Sequence, residues 1–455
     1  MTLAATSTGT SPAALRARAG EILAHDTWSR ERLAELQQAR LRALLAHAVE
    51  HSPYYREALG AGAADADLAD LPTLPKPLLM EQFDRIVTDS AIRLADLEAF
   101  LAAAEPGAAY REEYRVFATS GSTGIPGVFV FSHQEFAHWI AVGLAAFARV
   151  GVTPESRLIA IGAPGDVHIT RQLFAAFQAG RKDVPRLSVT TPIAETVAAL
   201  NEYRPEVLLA YASVMGALAD EQLDGRLAIE PELAITTSEV LTDDIVRRIE
   251  AAWGQTPVNA YASTEAPGIA IGSRDHVGMH VCEESVVLEV VDESGRAVRP
   301  GVPGTKVLLT NLVNRTQPLI RYELSDAVVL AEGPDPSGRP YLRIARVDGR
   351  SDDILRFPAQ EGGEVAVHPH RLRAPFSALL DVRRYQIVHE PNGLRVRVVP
   401  RGSAPSDLAV RIQLALAGEL EAAGAAPTAI RVETVDEIER EAGHAAKLKL
   451  VTSVR

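Results

Sequence analysis

The strongest constraint on the fold is an alternation of helical and strand-like segments between residues 157 and 261. Short apolar runs such as RLIAIG, EVLLAY and LAITT are separated by segments such as ITRQLFAAFQAG and DDIVRRIEAAW, whose apolar residues recur at helical spacing. Alternation of this kind is typical of βαβ units arranged around a largely parallel sheet. The sequence therefore predicts an α/β fold.

The pattern changes after Val286, where strand-like runs follow one another directly. The runs VVLEVVD, TKVLLTNL and AVVLAEG are separated by turn residues, which indicates an antiparallel region. A polar break near Gly349 precedes a smaller unit with a hairpin whose turn is Pro391-Asn392-Gly393, a helix and a strand. We therefore predict a large N-terminal domain over 1–348, with mixed, partly parallel sheets flanked by helices. A small C-terminal α+β domain is predicted over 354–455.

Composition argues against several classes of partner. The formal net charge is −13 and no long run of Lys or Arg occurs, so we expect no binding to nucleic acid or to an anionic membrane surface. No uninterrupted apolar stretch approaches the length of a membrane helix. Cys282 is the only cysteine, and the start MTLAATSTGTSPAALRARAG lacks the apolar core of a signal peptide. We therefore expect a cytoplasmic protein without an intrachain disulfide.

A segment rich in glycine and hydroxyl groups, TSGSTGIPG, occupies residues 119–127 between the apolar runs YRVFA and VFVFS. Such a composition fits either a flexible linker or a tight loop. The strand-like flanks favour a tight loop, whose glycines let N–H groups converge and whose Ser120, Ser122 and Thr123 hydroxyls add donors for phosphate oxygens. No lysine follows the loop as in a Walker A motif, so a cation for phosphate chemistry has to come from elsewhere.

Further polar segments follow later in the chain. NAYASTEA (259–266) ends the last strand of the alternating region, where open α/β sheets place ligands. Two more segments are polar but also fit ordinary structure: RYELSD (321–326) fits the end of a strand, and GRSDDIL (349–355) fits a polar linker. The tail AKLKLV holds Lys447 and Lys449, two of only five lysines in the chain, which suggests that an ammonium group is needed there.

The order of these segments resembles that of the core motifs of adenylate-forming enzymes, the superfamily of acyl-CoA synthetases, nonribosomal-peptide adenylation domains and luciferases. The N-terminal RLRALLAHAVEHSPYYRE and the form GRSDDIL are most similar to the phenylacetate–CoA ligase branch. The resemblance implies that ATP and Mg²⁺ convert a small, aromatic carboxylic acid into an acyl-adenylate, which is then transferred to CoA. It also implies a hinge over 349–353, at Asp352, about which the C-terminal domain is mobile.

The resemblance also implies which residues act. Lys447 would bridge the attacking carboxylate and the α-phosphate, Thr264 would approach that phosphate, and Glu265 would hold Mg²⁺; Lys449 is the alternative to Lys447. Tyr261 would stack on adenine and Asp326 would accept the ribose hydroxyls. The expected nucleotide contacts are Thr119, Ser120, Gly121, Ser122, Thr123, Gly124, Ser238, Glu239, Ala260, Tyr261, Ala262, Ser263, Thr264, Asp326 and Arg350. The expected acid pocket consists of Phe131, His168, Ala212, Ser213, Ala262 and His280.

Two departures from the branch keep other functions open. Phe357-Pro358 stands where the branch has Arg-Gly, and GAPGDVH (162–168) replaces a glycine-rich segment of the acyl pocket. The alternative is adenylation with transfer to an amine, a hydroxyl or another non-CoA acceptor in secondary metabolism. A nucleotide-binding regulatory protein without catalysis is a hypothesis of another class.

Two histidines and the cysteine lie close together in residues 276–282, which raises the question of a metal site. His276, His280 and Cys282 form an H-x3-H-x-C pattern that fits either a zinc site or core and pocket histidines. Structural zinc usually takes four ligands with more cysteine, so we favour the histidine alternative, with His280 at the acid pocket. The N-terminal helical region is consistent with a homodimer.

Overall fold

The structure is a computed structural model of the 455-residue chain. It describes residues 11–60, 62–103, 107–119, 126–274, 278–350, 354–379, 381–438 and 450–454. Several residues singled out above lie outside the described residues, namely Ser120, Gly121, Ser122, Thr123, Gly124, His276, Asp352, Lys447 and Lys449.

Short helices form the N-terminal part. They are α1 (Pro12–Ala24), α2 (Arg30–His51), α3 (Pro53–Leu59), α4 (Lys76–Glu81), α5 (Phe83–Ile86) and α6 (Leu94–Ala103). The side chains of Ser11, Ser29 and Ser52 cap the first three helices by accepting backbone N–H groups of the first turn. Helix α2 buries Leu41 and Leu44 in the main hydrophobic core.

Strands from the middle of the chain build the central sheets. After the hairpin of β1 (Tyr114–Ala118) and β2 (Val128–Ser132) come β3 (Leu158–Ile161), β4 (Val207–Tyr211), β5 (Leu233–Thr237), β6 (Val258–Tyr261), β7 (Ala270–Gly272), β8 (Met279–Val281), β9 (Val286–Val291), β10 (Lys306–Asn311), β11 (Tyr322–Leu324), β12 (Asp326–Leu330) and β13 (Arg343–Arg350). Within the described residues, eight of them pair in the order β12-β13-β8-β7-β6-β5-β4-β3, and three in the order β11-β10-β9.

The alternating region forms the parallel half of the large sheet. Strands β3 to β6 pair in parallel, whereas β7, β8, β13 and β12 continue the sheet in antiparallel pairings. The helices of this region are α7 (His133–Arg149), α8 (Ile169–Gln178), α9 (Ile193–Tyr203), α10 (Ala212–Leu223) and α11 (Asp243–Trp253). Two buried clusters share these strands: one contains residues of α7 and α8, and the other contains residues of α9, α10 and α11. The predicted mixed sheet flanked by helices is confirmed.

The C-terminal part has a sheet and a core of its own. Its elements are β14 (Leu355–Pro358), β15 (Glu364–Val367), α12 (Pro369–Arg373), β16 (Val382–Glu390), β17 (Gly393–Pro400), α13 (Leu408–Ala422), β18 (Ile430–Thr434) and β19 (Val451–Ser453). Four strands pair in the order β18-β17-β16-β19, and α13 packs on them through Ile412 and Leu416. The predicted hairpin is confirmed, and Gly393 is required in it because a Cβ there would lie 2.1 Å from the Ala429 carbonyl oxygen.

No helix among the described residues is both long enough and apolar enough to cross a membrane.

Candidate nucleotide and acid site

A cavity of about 1730 Å³ lies at the carboxyl ends of the parallel strands. Tyr211, Ser238 and Tyr261, which end or follow β4, β5 and β6, line one side, and Tyr385 and His389 of β16 line the other. Open α/β sheets bind ligands at this edge. The volume exceeds the roughly 300–1,000 Å³ of most small-molecule pockets, so the cavity has room for more than one ligand.

Three of the residues expected to contact the nucleotide meet in this cavity. The Tyr261 hydroxyl donates to Oδ2 of Asp326 at 2.8 Å, and Nε of Arg350 lies 3.7 Å from Oδ1 of the same carboxylate. The sheet brings them together, because Asp326 begins β12 opposite Arg350 at the end of β13. Burial, followed by the Asp326 charge, raises the pKa of Tyr261 well above its ordinary value. The phenol therefore stays protonated and orients the carboxylate.

Glu265 is a buried carboxylate in the wall of the same cavity. The Tyr322 hydroxyl donates to its Oε1 at 3.1 Å, and Nδ2 of Asn311 donates to its main-chain oxygen at 2.7 Å. Other residues shortly before Glu265 in the sequence also line the cavity, namely Ala260, Ala262, Ser263 and Thr264. In the described part of the chain, no group of three or more His, Cys, Asp and Glu side chains could hold a metal ion. A single carboxylate nevertheless fits Mg²⁺ that arrives with a nucleotide, because Mg²⁺ usually takes one or two carboxylates plus phosphate oxygens and water.

Lys76, which the sequence analysis did not assign to the site, lies at the base of the TSGSTGIPG loop. Its Nζ donates to Oγ1 of Thr119 at 3.2 Å, and the same oxygen accepts the N–H of Gly127 at 2.8 Å. Lys76 begins α4 and is held there by Leu74, which forms a parallel bridge with Tyr322. The sequence indicates this position of Lys76 only weakly, because Lys76 is one of five lysines and precedes the loop by 43 residues. A cation therefore lies next to the loop on the N-terminal side.

The segment that follows β5 has an unusual backbone. Ser238 adopts a left-handed conformation with φ of 68°, which non-glycine residues rarely do and which is common at binding sites. Oε2 of the neighbouring Glu239 accepts the backbone N–H of Ser213 at 2.9 Å, in the first turn of α10. Ser238, Glu239 and Ser213 all line the cavity. Glu239 thus ties the loop after β5 to the start of α10.

Half of the six residues expected in the acid pocket line this cavity. His168, Ser213 and Ala262 line the cavity, whereas Phe131, Ala212 and His280 do not.

The three misplaced residues pack elsewhere. Phe131 is fully buried in the main core with its ring 6.0 Å from that of Phe117, and Ala212 is fully buried in the core under α10. Nε2 of His280 lies 2.6 Å from Oδ2 of Asp335. The cavity therefore does not include these three side chains, because nearness in sequence to the loop or to a strand end does not determine which face of a strand or helix a side chain occupies.

The pattern that suggested zinc is only partly covered by the described residues, because His276 lies outside them. Burial raises the pKa of the Cys282 thiol, so this sulfur stays protonated. Burial also disfavours the Asp335 carboxylate, but hydrogen bonds from Ser337 and from His280 outweigh it and lower the pKa of Asp335 to about 2. His280 is thus the partner of a charged carboxylate.

A cluster of carboxylates and arginines joins α10 and α11 to the C-terminal sheet. Asp220, whose side chain is fully buried, accepts from Nη1 of Arg248 at 3.0 Å and from Nη2 of Arg401 at 2.5 Å. Nη2 of Arg383 donates to Oε1 of Glu221 at 2.7 Å. Because Arg383 lies in β16 and Arg401 follows β17, these ion pairs hold the C-terminal sheet against the helices. We call this group the Asp220 cluster.

Comparison with known proteins places this architecture in a family. A phenylacetate-coenzyme A ligase of Thermus thermophilus is 29% identical over 382 residues, which cover 81% of this chain and 80% of that protein. A 2-hydroxyisobutyryl-CoA ligase in the postadenylation state, in complex with 2-HIB-AMP, superposes with a TM-score of 0.75 at 20% identity, over 95% of this chain and 91% of that one. The same ligase with 2-HIB-AMP and CoA in the thioesterification state gives a TM-score of 0.56 at 20% identity, over 94% and 91%. A family model described as AMP-binding enzyme matches residues 13–310, which is more than half of the chain, so the protein belongs to the AMP-binding enzyme family.

Proposed function

We propose that this protein is an ATP-dependent, AMP-forming ligase that activates a carboxylic acid and transfers its acyl group to CoA. The observation that carries the proposal is the convergence of Tyr261, Asp326, Arg350 and Glu265 on one cavity with the base of a glycine-rich loop. The similarity to phenylacetate-coenzyme A ligases over most of both chains supports the acid and CoA as substrates.

The first step forms an acyl-adenylate. A carboxylate oxygen of the acid attacks the α-phosphorus of ATP, the bond to the β-phosphate oxygen breaks, and pyrophosphate leaves. In this arrangement the Tyr261 ring packs on adenine, Asp326 accepts the ribose hydroxyls, and Thr264 contacts the α-phosphate. Glu265 would hold Mg²⁺, whose charge would offset that of the triphosphate. Lys76 and Thr119 hold the phosphate end together with the loop.

The second step transfers the acyl group. The thiolate of CoA attacks the carbonyl carbon of the adenylate, a thioester forms, and AMP leaves. We propose that the chain divides into 1–348, a hinge over 349–353 and a mobile domain over 354–455, so that rotation at Asp352 exposes the adenylate to CoA. The separate core of the C-terminal part supports this division, because the domain can rotate with that core intact once the ion pairs of Arg383 and Arg401 with the Asp220 cluster break.

The proposal is tested by measuring AMP, ADP and pyrophosphate with and without CoA for a panel of carboxylic acids. We expect acid-dependent release of AMP and pyrophosphate, with an acyl-CoA product only when CoA is present. An adenylate that forms but gives no thioester with CoA would support transfer to an amine or a hydroxyl instead. Formation of ADP, or no nucleotide turnover with any acid, would contradict the proposal.

Replacing Lys76 with alanine is expected to slow pyrophosphate release by about 10–100-fold, because a hydrogen bond to a charged group contributes about 1.5–3 kcal/mol. The rate is measured at several ATP concentrations with the acid held at saturation. Lys182, which is exposed and outside this cavity, provides the matched control, since Lys182→Ala is expected to leave the rate unchanged. An unchanged rate in Lys76→Ala would remove this residue from the phosphate site.

Replacing Asp220 with alanine is expected to lower the free energy of unfolding by about 2 kcal/mol. Loss of one partner from a buried pair costs about 3–5 kcal/mol, and we reduce this figure because Arg248 and Arg401 are 16% and 29% exposed. Urea unfolding provides the measurement. Asp224 lies 3.5 Å from Nη2 of Arg383 and is 28% exposed, so Asp224→Ala is expected to cost under about 1 kcal/mol.

A double-mutant cycle separates an interdomain effect of Asp220 from a local one. If Asp220 acts through the C-terminal sheet, Arg401→Ala should destabilise the protein much less in the Asp220→Ala background than in the wild type. Full additivity of the two substitutions would show that the ion pair between them does not hold the C-terminal sheet.

A further inference from the structure

The cavity has an apolar branch between α7 and α8, which we call the acyl cleft. One face of α7 lines it through Trp139, Val142, Gly143, Ala146, Phe147 and Val150, which follows the last residue of the helix. Because these residues recur three and four positions apart, they form a single stripe. At 1.5 Å per residue, the stripe from Trp139 to Val150 is about 16 Å long.

The opposite wall of the acyl cleft is aromatic and aliphatic. Leu173, Phe174 and Phe177 of α8 line it, and none of the α7 or α8 residues named here as lining the cleft is charged. The charged residues that line the cavity, among them Lys76 and Glu265, lie on elements other than α7 and α8. The acyl cleft therefore suits a hydrocarbon rather than a second polar group.

The two ends of the acyl cleft are distinguishable. A Cβ built on Gly268, which follows the Thr264-Glu265 turn, would lie 3.6 Å from the ring of Trp139, so the Trp139 end adjoins the catalytic turn. Phe147 lies about two helical turns farther along α7 and packs edge to face with Phe177 at 4.9 Å between ring centroids. The Phe147–Phe177 pair therefore marks the end remote from the nucleotide.

Glycine at position 143 shapes the remote half. A Cβ on Gly143 would lie 2.3 Å from Cζ of Phe177, so the Phe177 ring rests directly on the α7 backbone. With alanine at 146 one turn later, the stripe has only small side chains between Val142 and Phe147. The middle of the acyl cleft is thus bounded by the Phe177 ring, the α7 backbone and the Ala146 methyl group.

We propose that the substrate of this protein is a monocarboxylic acid with an unbranched apolar tail of medium length, whose carboxylate lies at the Thr264 turn and whose tail follows α7 toward Phe147 and Phe177. This inference rests on the proposed acid activation and adds the class of acid. An acid as short as phenylacetate occupies only the Trp139 end. Acids with charged or strongly polar tails are excluded from the acyl cleft by the cost of burying them against this lining.

The first test is a chain-length series. Pyrophosphate release is measured with butanoate, hexanoate, octanoate and decanoate, and with phenylacetate for comparison. Because each buried methylene contributes a roughly fourfold gain in affinity, kcat/KM is expected to rise about fourfold per methylene until the acyl cleft is full. Turnover of phenylacetate or butanoate with no gain for longer acids would overturn the inference while leaving the proposed function intact.

The second test changes the length of the acyl cleft. Ala146→Leu is expected to lower kcat/KM for decanoate at least tenfold and to change that for butanoate by less than about twofold, because the added atoms block only the remote half. Ala148→Leu on the exposed face of the same helix is the matched control and should change neither value. Equal losses for both acids in Ala146→Leu would contradict the proposed position of the tail.

A complementary variant covers the case in which Ala146→Leu does not fold. Phe177→Ala removes the ring that bounds the remote end and is expected to raise kcat/KM for dodecanoate relative to octanoate. Calorimetry measures the affinities for octanoate and butanoate directly, without requiring turnover. Equal affinity for the two acids would overturn the inference, and tighter binding of octanoate without any nucleotide turnover would overturn the proposed function alone.

Discussion

Replacing Lys447 with alanine is expected to slow acid-dependent pyrophosphate release by a factor of about 10²–10³. Charge accumulates between the attacking carboxylate and the α-phosphate in the transition state, and loss of one fixed group that stabilises such charge typically costs this much. The glycine-rich loop carries no lysine of its own, so an ammonium from the tail segment AKLKLV would supply the charge. Lys447 lies outside the described residues, and its role follows from the resemblance of that segment to the family motif.

Two controls make the Lys447 experiment specific. Lys449→Ala is expected to retain most of the activity, because Lys449 is the second candidate in the same segment. Conversion of a synthetic acyl-adenylate with CoA should also proceed near the wild-type rate in Lys447→Ala, since the lysine acts in the first step. If pyrophosphate release is lost in Lys449→Ala and kept in Lys447→Ala, the assignment is reversed; if both variants keep it, neither lysine is catalytic.

Replacing Glu265 with glutamine is expected to raise the Mg²⁺ concentration needed for half-maximal activity by at least about 10–100-fold. Removing a metal-site partner that does not touch the ion already costs this much in affinity, and the carboxylate proposed here touches it. Glutamine retains an oxygen that can accept from the Tyr322 hydroxyl, so the fold should be preserved. The measurement is a Mg²⁺ titration of pyrophosphate release at fixed total ATP.

Tyr322→Phe is the companion variant for Glu265. It removes the donor to Oε1 but leaves the carboxylate, so only a small shift in the Mg²⁺ requirement is expected. An unaltered Mg²⁺ titration in Glu265→Gln would show that the carboxylate does not hold the ion. An equal shift in both variants would instead show that the orientation of Glu265 is what matters.

The local sequence pattern alone was enough to predict the parallel half of the large sheet and the C-terminal hairpin. The alternation over 157–261 predicts the parallel half of the sheet, and the turn residues Pro391-Asn392-Gly393 predict the hairpin, because backbone geometry at these sites follows from residue type. Tyr261, Asp326 and Arg350 were predicted as nucleotide contacts from the resemblance of their segments to the family motifs. Their mutual contact then follows from the pairing of β12 with β13 and from the position of β6 in the same sheet.

Features that depend on tertiary packing were not predictable in the same way. The contact of Lys76 with Thr119 requires α4 to dock beside β11, which no local pattern specifies. The first four residues of β2, VFVF, are apolar on both faces, so the sequence does not show that Phe131 faces the core. For the same reason, the stripe on α7 that lines the acyl cleft cannot be told from an ordinary core-facing stripe until α8 is in place.

Isotope transfer shows directly whether a carboxylate oxygen of the acid attacks the α-phosphate of ATP. An acid labelled with ¹⁸O in its carboxylate is turned over to completion with ATP and CoA, and AMP is analysed by mass spectrometry. One ¹⁸O atom is expected in the phosphate of each AMP formed, because the attacking oxygen leaves with AMP when the thioester forms. Unlabelled AMP, or label in inorganic phosphate together with ADP, would contradict it.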